Sequence, residues 1–366
     1  MNRMKKILLG MLMLVSVQAF AQPDNDLTEK EKAYRDSIAN LNAVNENNAA
    51  SQDMYNAGID LFKNKKYNSA ILKFKKAIEL NPQFKDAYYN KGVAENELQK
   101  FSAAAKSMGG VLKIDPTNAK ALSQRARAYQ GMNKYVKAEA DYEKAIRLDS
   151  KNEKAYYNFG TLKFLQKDYK GAMKKFDKAI SLKSDFAYAF NDRGSCKRMM
   201  KDYQGAISDY ETAARHNGNL PFVLNNIGTV KKKLGDYSGA IAAYNRALNI
   251  DANYYLAYNN RGTVYMDQGK YDDAIKDFNK AIELNSKYAP AYSNRAAAKH
   301  KKEDYKGAVK DCDKAISLNP KYASAYVNRG ISKEMLRDAA GACSDWTKAR
   351  ELGSELAKQY QVGNCQ

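Results

Sequence analysis

Small and apolar positions return along this chain at a fixed interval. From Ser51 onward a small residue recurs every 34 positions: Gly58, Gly92, Ala126, Gly160, Gly194, Gly228, Gly262, Ala296 and Gly330. Nine residues after each stands an aromatic, Tyr67, Phe101, Tyr135, Tyr169, Tyr203, Tyr237, Tyr271 and Tyr305, with Ala339 the exception. Three further on is an alanine, from Ala70 to Ala342, and four beyond that most blocks carry a bulky residue, such as Phe74, Met108, Tyr142, Tyr210 or Trp346. Spacings of three, four and seven share one face of a helix, whereas a half-buried strand alternates at two. Each block therefore predicts two antiparallel helices joined by a tight turn, written KNKKY, QKDY, MKDY, LGDY or QGKY. The small residues let the paired helices approach closely, and the bulky residue is expected to fill the gap toward the next block. Block ends such as ELNPQF, KIDPTN and SLNPKY stop one helix and cap the next.

A period of this length belongs to stacked arrays rather than closed globules. The nine blocks run 51–84, 85–118, 119–152, 153–186, 187–220, 221–254, 255–288, 289–322 and 323–356. Their small–aromatic–alanine–bulky skeleton, with Pro82, Pro116 and Pro320 at block ends, resembles the tetratricopeptide repeat family. The resemblance implies an all-α fold, an α-solenoid winding as a right-handed superhelix of nine two-helix repeats, with a C-terminal cap and tail at 357–366. The block-end proline is missing elsewhere, the fifth and sixth blocks end irregularly in RHNGNLP and NIDANY, and the last block has Ala339 for its turn aromatic.

One regularity exceeds the skeleton. Five blocks place Arg just before the small residue, Arg125, Arg193, Arg261, Arg295 and Arg329, and the same five place Asp sixteen residues later, Asp141, Asp209, Asp277, Asp311 and Asp345. The other four have neither, with Ala57/Lys73, Lys91/Ser107, Phe159/Lys175 and Ile227/Ala243. The expectation is a charge-assisted pair joining the two helices of a repeat and fixing their register. Duplication of blocks, copying both residues without contact, is the alternative.

The ends differ from the array. Arg3, Lys5 and Lys6, the apolar run Ile7 to Val17 and Ala19-Phe20-Ala21 read as a signal peptide at 1–21, cleaved before Gln22. Its apolar run is too short to span a membrane. An exported protein follows, periplasmic or secreted. Residues 22–50 form an acidic leader, in which Thr28 and Glu31 fit a capping box and Tyr34, Ile38 and Leu41 one stripe. AVNENNAASQ then reads as a linker. The leader is either a short helical cap on the first repeat or a disordered tether. Of four cysteines, Cys196 and Cys312 fall on apolar slots three blocks apart, beyond bridging distance. Cys343 and Cys365 can meet if the tail folds back, giving a disulfide; two unpaired thiols are the alternative.

Catalytic chemistry has little to work with. There are two histidines, His216 and His300, and no metal motif, CxxC pair, phosphate loop or nucleophile elbow. Both histidines read as solvent-facing, and Gly109-Gly110 reads as a kink in a helix. No enzyme activity, cofactor or metal is expected.

What the family resemblance implies instead is a concave groove lined by the first helix of each repeat. Carried onto this chain, that face holds Tyr55, Phe62, Tyr89, Lys120, Arg127, Lys154, Tyr157, Phe164, Tyr188, Arg198, Lys232, Lys233 and Lys301. Asn191, Asn225 and Asn259 occupy one slot in three successive blocks and are expected to hydrogen-bond an extended backbone. The carboxylate clamp of chaperone-binding relatives is not reproduced. The formal net charge of +20 favours an acidic protein or peptide, although lysines on a solvated face also account for it. An anionic envelope polymer, lipopolysaccharide or acidic glycan, is the competing partner. Export and the lack of a binding motif argue against nucleic acid.

Overall fold

The computed structural model describes residues 28–365. The expected signal peptide at 1–21 therefore lies outside the described residues, as does the start of the leader. The described residues fold into nineteen α-helices without a strand. They belong to two compact units, Met1–Leu162 and Lys163–Gln366.

In the first unit the helices are α1 (Glu29–Lys63), α2 (Tyr67–Leu80), α3 (Lys85–Glu97), α4 (Phe101–Ile114), α5 (Ala119–Gly131) and α6 (Tyr135–Leu148), followed by α7 (Glu153–Leu165) at its end. Helix α1 corrects the reading of the leader. It runs for 35 residues straight through AVNENNAASQ, because that stretch has neither Pro nor Gly and its Asn and Ser residues disfavour helix only weakly. The Thr28–Glu31 capping box opens it: the Thr28 amide donates to Glu31 at 2.9 Å, and the Thr28 hydroxyl accepts from the Glu31 amide. Along the apolar stripe Tyr34 and Ile38 are half-buried, whereas Leu41 is 60% exposed and the next turn's Val44 53% exposed. Only from Ser51, whose hydroxyl donates to the Ala77 carbonyl at 2.8 Å, does α1 lie against α2.

Helix α4 also departs from expectation. It continues unbroken across Gly109-Gly110. Gly110 is where the Tyr88 ring of α3 presses on the helix; a Cβ there would come within 2.5 Å of that ring. Close approach, not a kink, explains the glycine.

The second unit holds α8 (Tyr169–Leu182), α9 (Ala187–Met199), α10 (Tyr203–His216), α11 (Pro221–Lys233), α12 (Tyr237–Ile250), α13 (Tyr255–Asp267), α14 (Tyr271–Leu284), α15 (Ala289–Lys301), α16 (Tyr305–Leu318), α17 (Ala323–Met335), α18 (Ala339–Glu351) and α19 (Glu355–Asn364). Its largest apolar cluster gathers Tyr210, Leu224, Ile227, Tyr244 and Val264.

In both units the bulky residue of the second helix packs against the small residue of its own block. A Cβ on Gly58 would stand 2.6 Å from Phe74, and one on Gly262 2.7 Å from Phe278. The expectation that it fills the gap toward the next block covers only part of its packing: sixteen residues of helix–turn–helix also bring these two positions face to face. Contact with the next block comes as well, as where Tyr142 stacks on Phe159 at 5.6 Å.

The turns share one backbone solution. The residue two before each second helix has positive φ: Lys65, Gln99, Asn133, Lys167, Lys201, Gly235, Gly269, Glu303 and Arg337. This left-handed step closes the first helix. At the C-terminus α19 packs on the last repeat through buried Ala357 and Tyr360, whose ring stacks on Trp346 at 5.3 Å. A disulfide joins Cys343 to Cys365, with α-carbons 5.7 Å apart.

Candidate partner-binding faces

Each Arg–Asp position pair is a forked contact. Asp345 accepts from Arg329 Nε at 2.8 Å and Nη2 at 2.5 Å. Asp141 with Arg125, Asp209 with Arg193, Asp277 with Arg261 and Asp311 with Arg295 repeat the geometry at 2.6–2.9 Å. The carboxylates are buried, and the hydrogen bonds hold the Arg193 and Arg329 guanidiniums above their ordinary range. In four repeats Nη1 also reaches the preceding repeat: Arg193 to Asp177, Arg261 to Asn245, Arg295 to Asn279 and Arg329 to Asp313, at 2.5–2.7 Å. The corresponding position before Arg125 is Gly109, which has no side chain to offer. Each guanidinium in the second unit thus fixes three helices, more than the single pair the spacing implied.

The blocks without Arg fill the place differently. Lys91 donates to both Ser107 and Glu95 at 2.8 Å, so a carboxylate from its own helix stands in for the missing Asp. Ile227 and Ala243 are simply buried and apolar.

The asparagine reading is overturned. Asn191, Asn225 and Asn259 are 6%, 8% and 4% exposed. Their side-chain carbonyls accept from Asn226, Asn260 and Asn294 of the next repeat at 3.0, 2.9 and 2.9 Å, and Asn328 continues the series onto Ser293. This amide ladder ties repeats to one another and has no free carbonyl row for a peptide. The signal was a second slot: Asn226, Asn260, Asn294 and Asn328 recur in four successive blocks, so a donor stood 35 residues after each acceptor.

Other expected face residues are also engaged. Phe62 and Phe164 pack on the turn aromatics Tyr67 and Tyr169 of their own repeats, at 5.2 and 5.4 Å. Tyr55 sits 4.8 Å from Phe84, and its hydroxyl accepts from Asn90. Arg127 pairs with Glu97 at 2.8 Å and Lys232 with Asp267 at 3.2 Å. Tyr157 is half-buried. In the first unit Tyr89, Lys120 and Lys154 border an open cavity of about 590 Å³ that also holds Asp149 and Glu153, so it carries both signs. Burial raises the Tyr89 phenol.

The second unit also keeps part of its face open. Tyr188 is 45% exposed and stacks on Phe222 at 5.9 Å. Arg198, Lys232 and Lys233 line a cavity of about 500 Å³. Lys301 borders another of about 250 Å³, beside Met266, His300, Ile331 and Tyr360. His300 is not plain surface: it is half-buried, lies 3.2 Å from the Ser332 hydroxyl, and is lowered in pKa by burial and then by Lys301. His216 is exposed and stacks on Phe190. Burial pushes the thiols of Cys196 and Cys312 up to about 12, which leaves both as small core residues without nucleophilic character at neutral pH. Among the described residues no cluster of metal-ligating side chains occurs, and no helix is long and apolar enough to cross a membrane.

Models described as Tetratricopeptide repeat match residues 119–152, 255–288 and 289–322, and 85–118 and 153–186. A model described as TPR repeat matches 58–99 and 228–269. Among solved structures, a tetratricopeptide repeat protein from Parabacteroides merdae aligns at 21% identity over 67% of this chain and 97% of its own, with a TM-score of 0.56. The APC/C hetero-tetramer Cut9–Hcn1 aligns at 17% identity over 84% and 59%, TM-score 0.57. Pseudomonas aeruginosa PilF aligns at 22% identity over 58% and 97%, TM-score 0.51. No curated protein matches the sequence.

Proposed function

Because the chain belongs to the tetratricopeptide repeat family, whose members are in general protein-interaction scaffolds, we propose that it is a non-enzymatic adaptor of the cell envelope or its exterior. It holds an extended or helical, acidic segment of a partner protein against the first-helix faces. The observation that carries this reading is the open face of the second unit, where exposed Tyr188 stacks on Phe222 and Arg198 and Lys233 stand on the same helices. An aromatic pair beside cations offers large contact area with little side-chain entropy to lose, the composition of interaction hot spots. Export is supported by the basic, apolar and Ala-Phe-Ala sequence at 1–21 and by the Cys343–Cys365 disulfide, which persists in oxidising compartments.

Affinity capture from an envelope extract, with washes at low and then high salt, tests it. A stoichiometric protein that survives high salt and is lost from the Tyr188→Ala/Phe222→Ala variant supports the adaptor. Release by salt of polyanionic material alone, unchanged in that variant, replaces the adaptor with charge-driven binding of lipopolysaccharide or acidic glycan.

A further inference from the structure

Resting on the adaptor reading above, we propose that the cavity at the C-terminal ends of α9, α11 and α13 is an anion subsite that takes a carboxylate side chain from an acidic, aliphatic-flanked segment of the partner.

Three successive first helices build it. Arg198 comes from α9, Lys232 and Lys233 from α11 and Asp267 from α13, with Tyr203 and Thr229 completing the wall. Arg198 and Lys232 are equivalent positions one repeat apart, as are Lys233 and Asp267. Cations at helix C-termini also complement the helix dipole, and that alone would leave them solvated. Arg198 is not. Its Nε is buried and meets no acceptor, although its guanidinium reaches the Tyr210 hydroxyl. A buried donor without a partner is uncommon, and the cavity-lining end of the planar guanidinium can meet a carboxylate with charge-assisted hydrogen bonds. Lys233 is exposed and meets no carboxylate among the described residues. Lys232 is held by Asp267 at 3.2 Å, so three cations face one acid and the cavity keeps an excess of positive charge.

The residues next in sequence to the lining cations specify the rest. Met199 and Met200 follow Arg198, and Leu234 follows Lys233; all three are more than two-fifths exposed. Aliphatic contacts beside a cationic centre suit a peptide with leucine-like residues flanking Glu or Asp. A glycan would leave those exposed side chains uncovered.

The test is fluorescence anisotropy on the full-length chain with two labelled peptides of equal length, one with alternating Glu and Leu, the other with Gln for every Glu. The acidic peptide is expected to bind about tenfold more tightly, the size of one charge-assisted contact. Arg198→Gln/Lys233→Gln should erase that preference. Lys310→Gln/Lys314→Gln, which removes the same charge from the exposed face of α16, should change affinity less than about twofold at moderate salt. Asp267→Asn should tighten acidic-peptide binding, because it removes the competing carboxylate and frees Lys232. Equal losses from the two double variants, or no preference for Glu over Gln, would overturn the subsite in favour of diffuse charge. The adaptor reading would survive that result if the captured partner still needed Tyr188 and Phe222, and would fall if it did not.

Discussion

In the first unit, polar contacts between successive repeats use differing partners: Asn90 and Gln124 reach Tyr55 and Tyr89, while Asn96 with Gln124 and Arg127 with Glu97 are each made once. In the second, one set recurs. Arg193, Arg261, Arg295 and Arg329 each reach back to the preceding repeat, and Asn226, Asn260, Asn294 and Asn328 each donate to it. The turns divide similarly. Helices α2, α4 and α6 start after Lys66, Lys100 and Lys134 with no side-chain cap, whereas α8, α10, α12, α16 and α18 are capped by Asp168, Asp202, Asp236, Asp304 and Asp338, with α14 after uncapped Lys270 the second unit's exception. The same backbone is thus held by position-specific contacts in one unit and by a repeated kit in the other. Apolar packing alone defines the two-helix repeat, and the polar layer is where repeats become distinct or interchangeable.

Breaking the guanidinium contact should have the largest effect. Asp345→Ala leaves Arg329 and Lys333 without their buried acceptor and is expected to destabilise the second unit by about 3–5 kcal/mol in urea unfolding. Replacing both members, Arg261→Ile with Asp277→Ala, copies the Ile227/Ala243 solution of the sixth repeat and should stay within about 1.5 kcal/mol of wild type. A double variant as unstable as the single one would mean the ion pair cannot be exchanged for apolar packing.

The ladder comes next. Asn260→Ala strands the buried Asn225 carbonyl and should lower stability by about 1–3 kcal/mol. Asn90→Ala in the first unit exposes only a half-buried Tyr55 hydroxyl and should cost about 0.5–1.5 kcal/mol. Equal losses would erase the contrast between the units.

The smallest effect concerns the turns. Asp304→Ala should cost about 1 kcal/mol of stability. Gly307→Ala should cost no more than that, because its Cβ would displace the Asp304 carboxylate from the Gly307 amide. Adding the module to the first unit, Lys134→Asp with Lys137→Gly, sharpens the point. The pair should outperform Lys134→Asp alone in thermal unfolding if the glycine is needed for the cap.

The repeat period, the helix pairs and the Arg–Asp spacing were all legible in the sequence, because each is a periodic identity that nine copies make visible. The Asp–Gly cap was equally visible and passed over: Asp168/Gly171, Asp202/Gly205, Asp236/Gly239, Asp304/Gly307 and Asp338/Gly341 occur together, and the other four blocks have neither. The direction of a buried side chain was harder. Asn191, Asn225 and Asn259 sit on the face assigned to a groove, and only the neighbouring donor one repeat on decides that they turn inward. Helix α1 was missed for a related reason: no residue in AVNENNAASQ ends a helix, and polar composition was read as a stop. The candidate site was legible in its charges, but not in which charges are already neutralised. Glu97 and Asp267 lie on first helices of other repeats, and no local pattern joins them to Arg127 and Lys232.

The backward reach of each arginine also bears on chain length. Arg295 bonds Asn279 behind it and Asp311 within its own repeat, and Arg329 does the same with Asp313 and Asp345. Remove residues 289–322, and Arg329 meets Asn279, the group that now serves Arg295, while Asn328 meets Asn259 in place of Ser293. These arginine and asparagine bonds each find a like successor. Loss of this one repeat therefore strands no buried guanidinium or carboxylate of the pair, and the contact pattern here tolerates a change in repeat number.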